Sequence, residues 1–193
     1  MYVLTVDQRG SRRDIDRVAP LLADLAQSSL LRPFERTAGD EVQAVADNPT
    51  IVVDVALDLV RRGHWSVGVG VGTVEQPLPS QTRAGRGPAF EAAREAVERA
   101  KKAPAAVAVE AADLDAALDA DTALSLVALL VARRSPQGQA AVDFMNRGLT
   151  QAEAATELGI SKQAVSQRLS AAGWQSEVAG RRLAARLLRR ADR

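Results

Sequence analysis

The spacing of apolar residues along this chain changes several times, and each change marks a new element. "YVLTV" (2–6) is a short β-branched run ending at Asp7 and predicts a strand. "RRDIDRVAPLLADLAQSSLL" (12–31) carries Ile15, Val18, Leu21, Leu22 and Leu25 at helical spacing, which predicts an amphipathic helix bent at Pro20. "PFERT" and "VQAVA" read as two arms of a hairpin with its tip at residues 38–41. In "DNPT" (47–50), Asp47 or Asn48 can cap and Pro49 takes an early helical position, so "IVVDVALDLVRRG" predicts a second helix stopped by Gly63. "HWSVGVGVGTVE" (64–75) alternates valine with glycine, the period of a strand. Its glycine face must lie close to another backbone or to a ligand. A loop (76–87), a helix (88–102) and a strand (105–111) complete the front part.

That order contains a βαββαβ core, which predicts an α+β protein with a ferredoxin-like antiparallel sheet and helices on one face. From Asp113 onward the pattern is wholly helical. "DLDAALDADTALSLVALLVARR" predicts a connecting helix pair whose apolar half is buried against a domain or a second subunit. Four helices follow, at 136–147, 150–158, 161–172 and 176–191. The expected organisation is a sheet domain (1–112), a connecting and dimerising segment (113–134) and an all-α domain (135–193).

"LTQAEAATELGISKQAVSQRLSAAGW" (149–174) has the layout of a helix-turn-helix. Thr150 and Glu153 form a capping box, Gly159 sits at the tight turn, and Ser161 caps the next helix. Val165 and Leu169 give that helix an inner face. Lys162, Gln163, Ser166 and Gln167 lie on the outer face, suited to base edges, while Lys162 and Arg168 can hold phosphates. With Thr150, Gln151 and Ser161 at the helix starts, these residues are the candidate DNA-binding set. The stretch resembles the helix-turn-helix domains of bacterial transcription regulators and sigma-like factors. The terminal helix (176–191) is basic and amphipathic, fit to pair subunits, to lie along phosphates or to pack on its own domain.

Charge strengthens this picture. The net charge of +1 divides into −5 over residues 1–132 (14 basic, 19 acidic) and +6 over 133–193 (11 basic, 5 acidic). A basic segment holding such a motif points to double-stranded DNA as partner. The chain has no cysteine and one histidine, His64, which excludes disulfides, a thiolate metal site and a His-rich zinc site. Aromatic residues make up 3%, so the core must be built from Ala, Val and Leu. The opening "MYVLTVDQRG" lacks the pattern of a signal peptide, and no apolar run is long enough to span a bilayer. The expectation is a cytoplasmic protein with no membrane partner.

Four pieces of the front part, "DQRGSR" (7–12), "AGDEVQ" (38–43), "VGVGVGTV" (67–74) and "GPAFEAAR" (87–94), together resemble the SatD family over residues 2–102. More distantly the layout is similar to nucleotidyl cyclase and diguanylate cyclase catalytic domains. The resemblance implies Asp7 and Asp40 as Mg²⁺ positions, an ion that takes one or two carboxylates plus substrate phosphates. It implies a nucleotide-like ligand near Ser11 and Arg12, near Gly39, Asp40 and Glu41 of the hairpin, and near Arg83, Arg86 and Arg94. Strand alternation is expected to turn Glu41 away from Asp7. Ala38, Val42 and Phe90 depart from the cyclase pattern, and no lysine lies in residues 1–100. The expectation is thus a homodimeric DNA-binding regulator whose front domain senses a phosphorylated ligand. Two alternatives remain open: a metal-dependent cyclase or phosphohydrolase with a DNA-binding tail, and a degenerate cyclase fold used only to dimerise.

Overall fold

A computed structural model describes every residue except Asp14, and the backbone alone of Arg12. The chain forms β1 (Tyr2–Gln8), α1 (Val18–Leu25), β2 (Arg32–Arg36), β3 (Glu41–Ala46), α2 (Pro49–Arg62), β4 (Trp65–Val71), α3 (Pro88–Ala100) and β5 (Val107–Ala111). Five helices follow: α4 (Leu114–Ala132), α5 (Pro136–Asn146), α6 (Gln151–Leu158), α7 (Lys162–Ala171) and α8 (Trp174–Ala191). The protein is therefore α+β, with one five-stranded mixed sheet in the order β2-β3-β1-β4-β5.

Sheet pairing follows from how the strands are joined. β2 and β3 are hairpin arms, and β1 pairs antiparallel with both β3 and β4. β4 and β5 are joined through α3 and pair in parallel, because a helical crossover returns the chain to the end where it began. The sheet is thus mixed, where the sequence led us to expect it antiparallel. Its helices also lie on both faces rather than one. Tyr2, Leu4 and Val6 of β1, with Val67, Val69 and Val71 of β4, point into the main core, formed with α1, α2, α4 and α8. Val3 and Val45 point to the other face, against Ala89, Phe90 and Ala93 of α3.

Glycine decides that second face. A Cβ at Gly68 would lie 2.3 Å from the Val97 nitrogen, and one at Gly70 would lie 2.1 Å from the Ala89 carbonyl oxygen. The glycine row therefore accommodates a helix backbone, and α3 lies hard against the sheet.

Local signals account for most helix ends. Asn48 caps α2 by accepting from Thr50 N–H at 2.9 Å, Pro49 takes the first turn, and Gly63 closes the helix at φ +78°. Asp113 caps α4, which is one continuous helix and not the expected pair. The expected helix 12–31 is shorter. α1 begins at Val18, so Pro20 lies in its first turn, where a missing N–H costs nothing, and bends nothing. Ile15, expected on its inner face, is 70% exposed. The buried Gln8 side chain holds this stretch out of the helix: it donates to the Ile15 carbonyl at 2.7 Å and accepts from Arg17 N–H at 2.9 Å.

Helices α5, α6 and α7 enclose a core of their own, built from Ala141, Val142, Ala154, Ala155, Val165 and Leu169. The basic helix α8 belongs elsewhere: Ala184, Ala185 and Leu188 enter the main core, with α4 and α2 as neighbours. Where α8 starts, Arg134 and Glu177 form an ion pair of 2.5 Å, with side chains only 2% and 3% exposed. Arg134 also donates to the Ala172 carbonyl and to Gln139 Oε1, and Glu177 accepts from Arg181, which reaches Asp54 of α2 at 2.7 Å. This chain of charges joins the three-helix unit to the sheet domain. No helix is long and apolar enough to cross a membrane among the described residues.

Two stability measurements test this packing. Gly70→Ala forces a methyl into the α3 backbone and is expected to cost about 1–3 kcal/mol in urea unfolding; an unchanged midpoint contradicts the close approach. Glu177→Ala strands a buried guanidinium and is expected to cost about 3–5 kcal/mol. Arg181→Ala removes the exposed Asp54 pair and one of two partners of Glu177, which keeps Arg134, and is expected to cost clearly less than Glu177→Ala. Equal losses in the two variants contradict the buried pair as the link.

Candidate functional site

A cleft of about 650 Å³ opens where β1 ends. β1 delivers Asp7 to this end and then turns at Gly10 into a single 3-10 turn over Ser11–Arg13. The register sets Asp7 opposite Glu41 on β3 and opposite Ser66 on β4. Residues directly opposite across antiparallel strands share a face, so Glu41 does not turn away from Asp7 as expected. Its carboxylate is engaged by the Thr37 hydroxyl at 2.6 Å. Asp40 precedes it at the hairpin tip and lines the cleft, and its carbonyl accepts from Gln8 N–H at 3.3 Å.

α3 supplies the residue that the sequence did not reveal. Having started beside Gly70, the 13-residue helix runs back along β4 for about 20 Å. Its C-terminal end therefore meets Asp7. There the Lys101 ammonium lies 3.1 Å from Asp7 Oδ2 and 2.6 Å from Glu98 Oε1. Burial lifts the Asp7 carboxyl above the usual carboxylate range; Lys101 opposes this, and the nearby Asp40 and Glu41 charges add to it. For Lys101, burial acts downward, but the bonds to Glu98 and Asp7 outweigh it and hold the ammonium charged.

Ser66 adds a second unforeseen feature. It is 1% exposed, lines the cleft, and its hydroxyl is the only buried side-chain oxygen or nitrogen without a hydrogen-bond partner among the described residues. Arg9 and Arg13 stand exposed on the rim, neither in an ion pair among the described residues. A short distance along, Ser11, Gly39 and Asp40 line an adjoining cleft of about 450 Å³, where Arg36 pairs with Asp16 at 2.7 Å.

The other expected ligand residues are not gathered here. Arg83 and Arg86 belong to the loop before α3, at the far end of that helix. The loop is fastened to β2: the Thr82 hydroxyl donates to the Pro33 carbonyl at 2.8 Å, and the Arg83 N–H points to Glu35 at 3.4 Å. Arg94 is exposed in the middle of α3 and does not line the cleft. The Arg12 side chain lies outside the described residues. Chain direction explains the difference: a helix following β4 presents its last turn to Asp7, not its first.

The cleft fits a resident Mg²⁺ poorly. Of the two carboxylates that line it among the described residues, Asp7 already holds an ammonium.

A second candidate surface lies on α6 and α7. Thr150 and Glu153 form the capping box, which occupies the Thr150 hydroxyl, and Gln151 opens α6 half-buried. Gly159 turns the chain at φ +63°, where only glycine is unstrained. Ser161 caps α7 by accepting from Ala164 N–H at 3.1 Å. Val165 and Leu169 are buried, which leaves Lys162, Gln163, Ser166 and Gln167 exposed and Arg168 half-exposed. No family model, curated protein or solved structure matches the chain.

The pairing at the cleft has a measurable consequence. A carboxyl lifted by burial keeps its proton longer in the native state than in the unfolded chain, so stability falls as pH rises through that interval. Lys101→Met is expected to move the Asp7 midpoint further up in a ¹³C-carboxyl NMR titration and to extend the fall in stability to higher pH. An unmoved midpoint contradicts the pairing.

Proposed function

We propose that this protein is a DNA-binding transcriptional regulator whose sheet domain binds a small phosphorylated ligand, most simply a nucleotide. The α6–turn–α7 unit carries the proposal. It has its own core, a capped second helix, and four exposed polar side chains at the start of that helix. That helix matches the requirement for a reader of the major groove: a rigid inner face and hydrogen-bonding residues on the outer N-terminal turns. Gln163 and Gln167 are suited to adenine edges, and Lys162 and Arg168 to phosphate oxygens. The basic balance of residues 133–193 favours the same partner.

The cleft at Asp7 supports the sensing half. Its volume falls within the range of about 300–1,000 Å³ usual for small-molecule sites, and Arg9, Arg13 and Lys101 favour an anion. The pairing of β1–β4 together with α1 and α2 on one face is compatible with the βαββαβ order on which the reading of the sheet domain rests. The reading assigns the homodimer contact to α4. Leu114, Leu118 and Leu126 are 74%, 61% and 64% exposed there and lie within an arc of about 120°. No observation of its own favours the enzyme alternative: Asp7, the carboxylate to which the resemblance assigns a metal ion, bonds Lys101.

Selection from a random duplex pool tests the DNA claim. The wild-type chain is expected to enrich one sequence. Gln163→Ala with Gln167→Ala removes about 1–3 kcal/mol of discrimination at each contacted base and should enrich none. Lys162→Ala should weaken binding evenly across sequences. Enrichment of the same sequence by the double variant overturns the assignment of α7.

A further inference from the structure

The cleft of the proposed sensor holds a built-in cation, and this changes the ligand chemistry it can support. Three observations meet there. First, the Lys101 ammonium is bonded to Asp7 Oδ2, the carboxylate that a divalent ion would need. Second, among the described residues the cleft is lined by Arg9 and Arg13 as well as by Asp7, Asp40 and Lys101, and neither arginine is in an ion pair among those residues. Third, the Ser66 hydroxyl is buried, unpartnered and part of the cleft wall. A buried hydroxyl without a partner is costly, and native proteins rarely keep one unless a ligand or water completes it.

We infer that the cleft binds the phosphate group of its ligand without a divalent metal, with Lys101 in the cation's place. The Asp7 and Glu98 carboxylates hold the ammonium on two sides and leave its third N–H for a phosphate oxygen, since an ammonium has three donors. Ser66 donates from the floor, and Arg9 and Arg13 meet the ligand at the rim. Asp7 is then a positioning residue for Lys101, where in a metal site it would be a ligand. This inference rests on the sensor reading above and adds the chemistry of its site.

Isothermal titration calorimetry on the full chain separates the possibilities. The probes are ATP, GTP, CTP, UTP, the four nucleoside monophosphates and inorganic phosphate, each in EDTA and again in excess Mg²⁺. At least one probe is expected to bind in EDTA, with affinity changed by Mg²⁺ by less than about threefold. Inorganic phosphate alone distinguishes a simple anion site from a nucleotide site. Lys101→Met is expected to weaken binding in EDTA by about tenfold or more, the worth of one charge-assisted hydrogen bond, while Lys101→Arg restores most of it. Ser66→Ala should weaken binding by a smaller factor without lowering the melting temperature of the free chain. Asp7→Asn gives the sharpest contrast: a metal site loses binding altogether, whereas a lysine site keeps it in EDTA. Binding by the wild type only in Mg²⁺ overturns this inference and leaves the sensor reading standing. No binding by any probe, with or without Mg²⁺, overturns the sensor reading itself.

Discussion

The close approach of α3 to the sheet is the constraint on which the front of this protein depends. Gly68 and Gly70 leave no side chain between the strand and the helix backbone, so α3 lies along β4 with its direction and depth fixed. That depth delivers Lys101 to Asp7. A bulkier residue at either glycine would lift the helix and draw the ammonium away from the carboxylate. Packing on one side of the sheet thus sets the electrostatics at its end. The free edge of β5 is closed by the same helix and by α4: Arg99 donates to the Val109 carbonyl at 2.7 Å, and Asp121 accepts from Val109 N–H at 2.7 Å. Side chains of this kind blunt an edge that could otherwise pair with another chain.

The second organising feature is how the three-helix unit is attached. Its own core is small and rich in alanine, and α8 does not contribute Leu188 or Ala184 to it but to the core beneath the sheet. The unit is joined to the sheet domain through α4, α8 and the buried Arg134–Glu177 pair, continued by Arg181 to Asp54 on α2. A buried pair of this type adds little net stability but fixes geometry strongly, because separating its members strands a charge. For the proposed regulator, any influence of the cleft on α7 must pass through these elements. It also requires a ligand that binds two arrangements of the chain with different affinity.

Much of this architecture was legible in the sequence because it rests on local chemistry. Asn48–Pro49, Thr150 with Glu153, and Ser161 each mark a helix start by a cap that needs no distant partner. The valine–glycine alternation of β4 announced a strand with something close against it. What stayed hidden depends on contacts between distant residues. The late start of α1 is set by Gln8, whose side chain captures the backbone at Ile15 and Arg17. α4 remains a single helix because α8 and α2 cover its buried stripe throughout. Lys101 lies 94 positions from Asp7, beyond the reach of any motif, and only the return path of α3 unites them. The same path leaves Arg83 and Arg86 at the opposite end of the helix, although the family resemblance implied that they share a ligand with Asp7.

The account stands or falls on whether the helical unit engages duplex DNA. The most direct measurement is fluorescence anisotropy of a labelled mixed-sequence duplex titrated with the full chain at several salt concentrations. The account requires saturable binding that weakens steadily with salt, because each phosphate contact releases condensed counterions and steepens the dependence by about 0.9 per contact. Anisotropy that stays flat at the lowest salt and the highest protein concentration would contradict it.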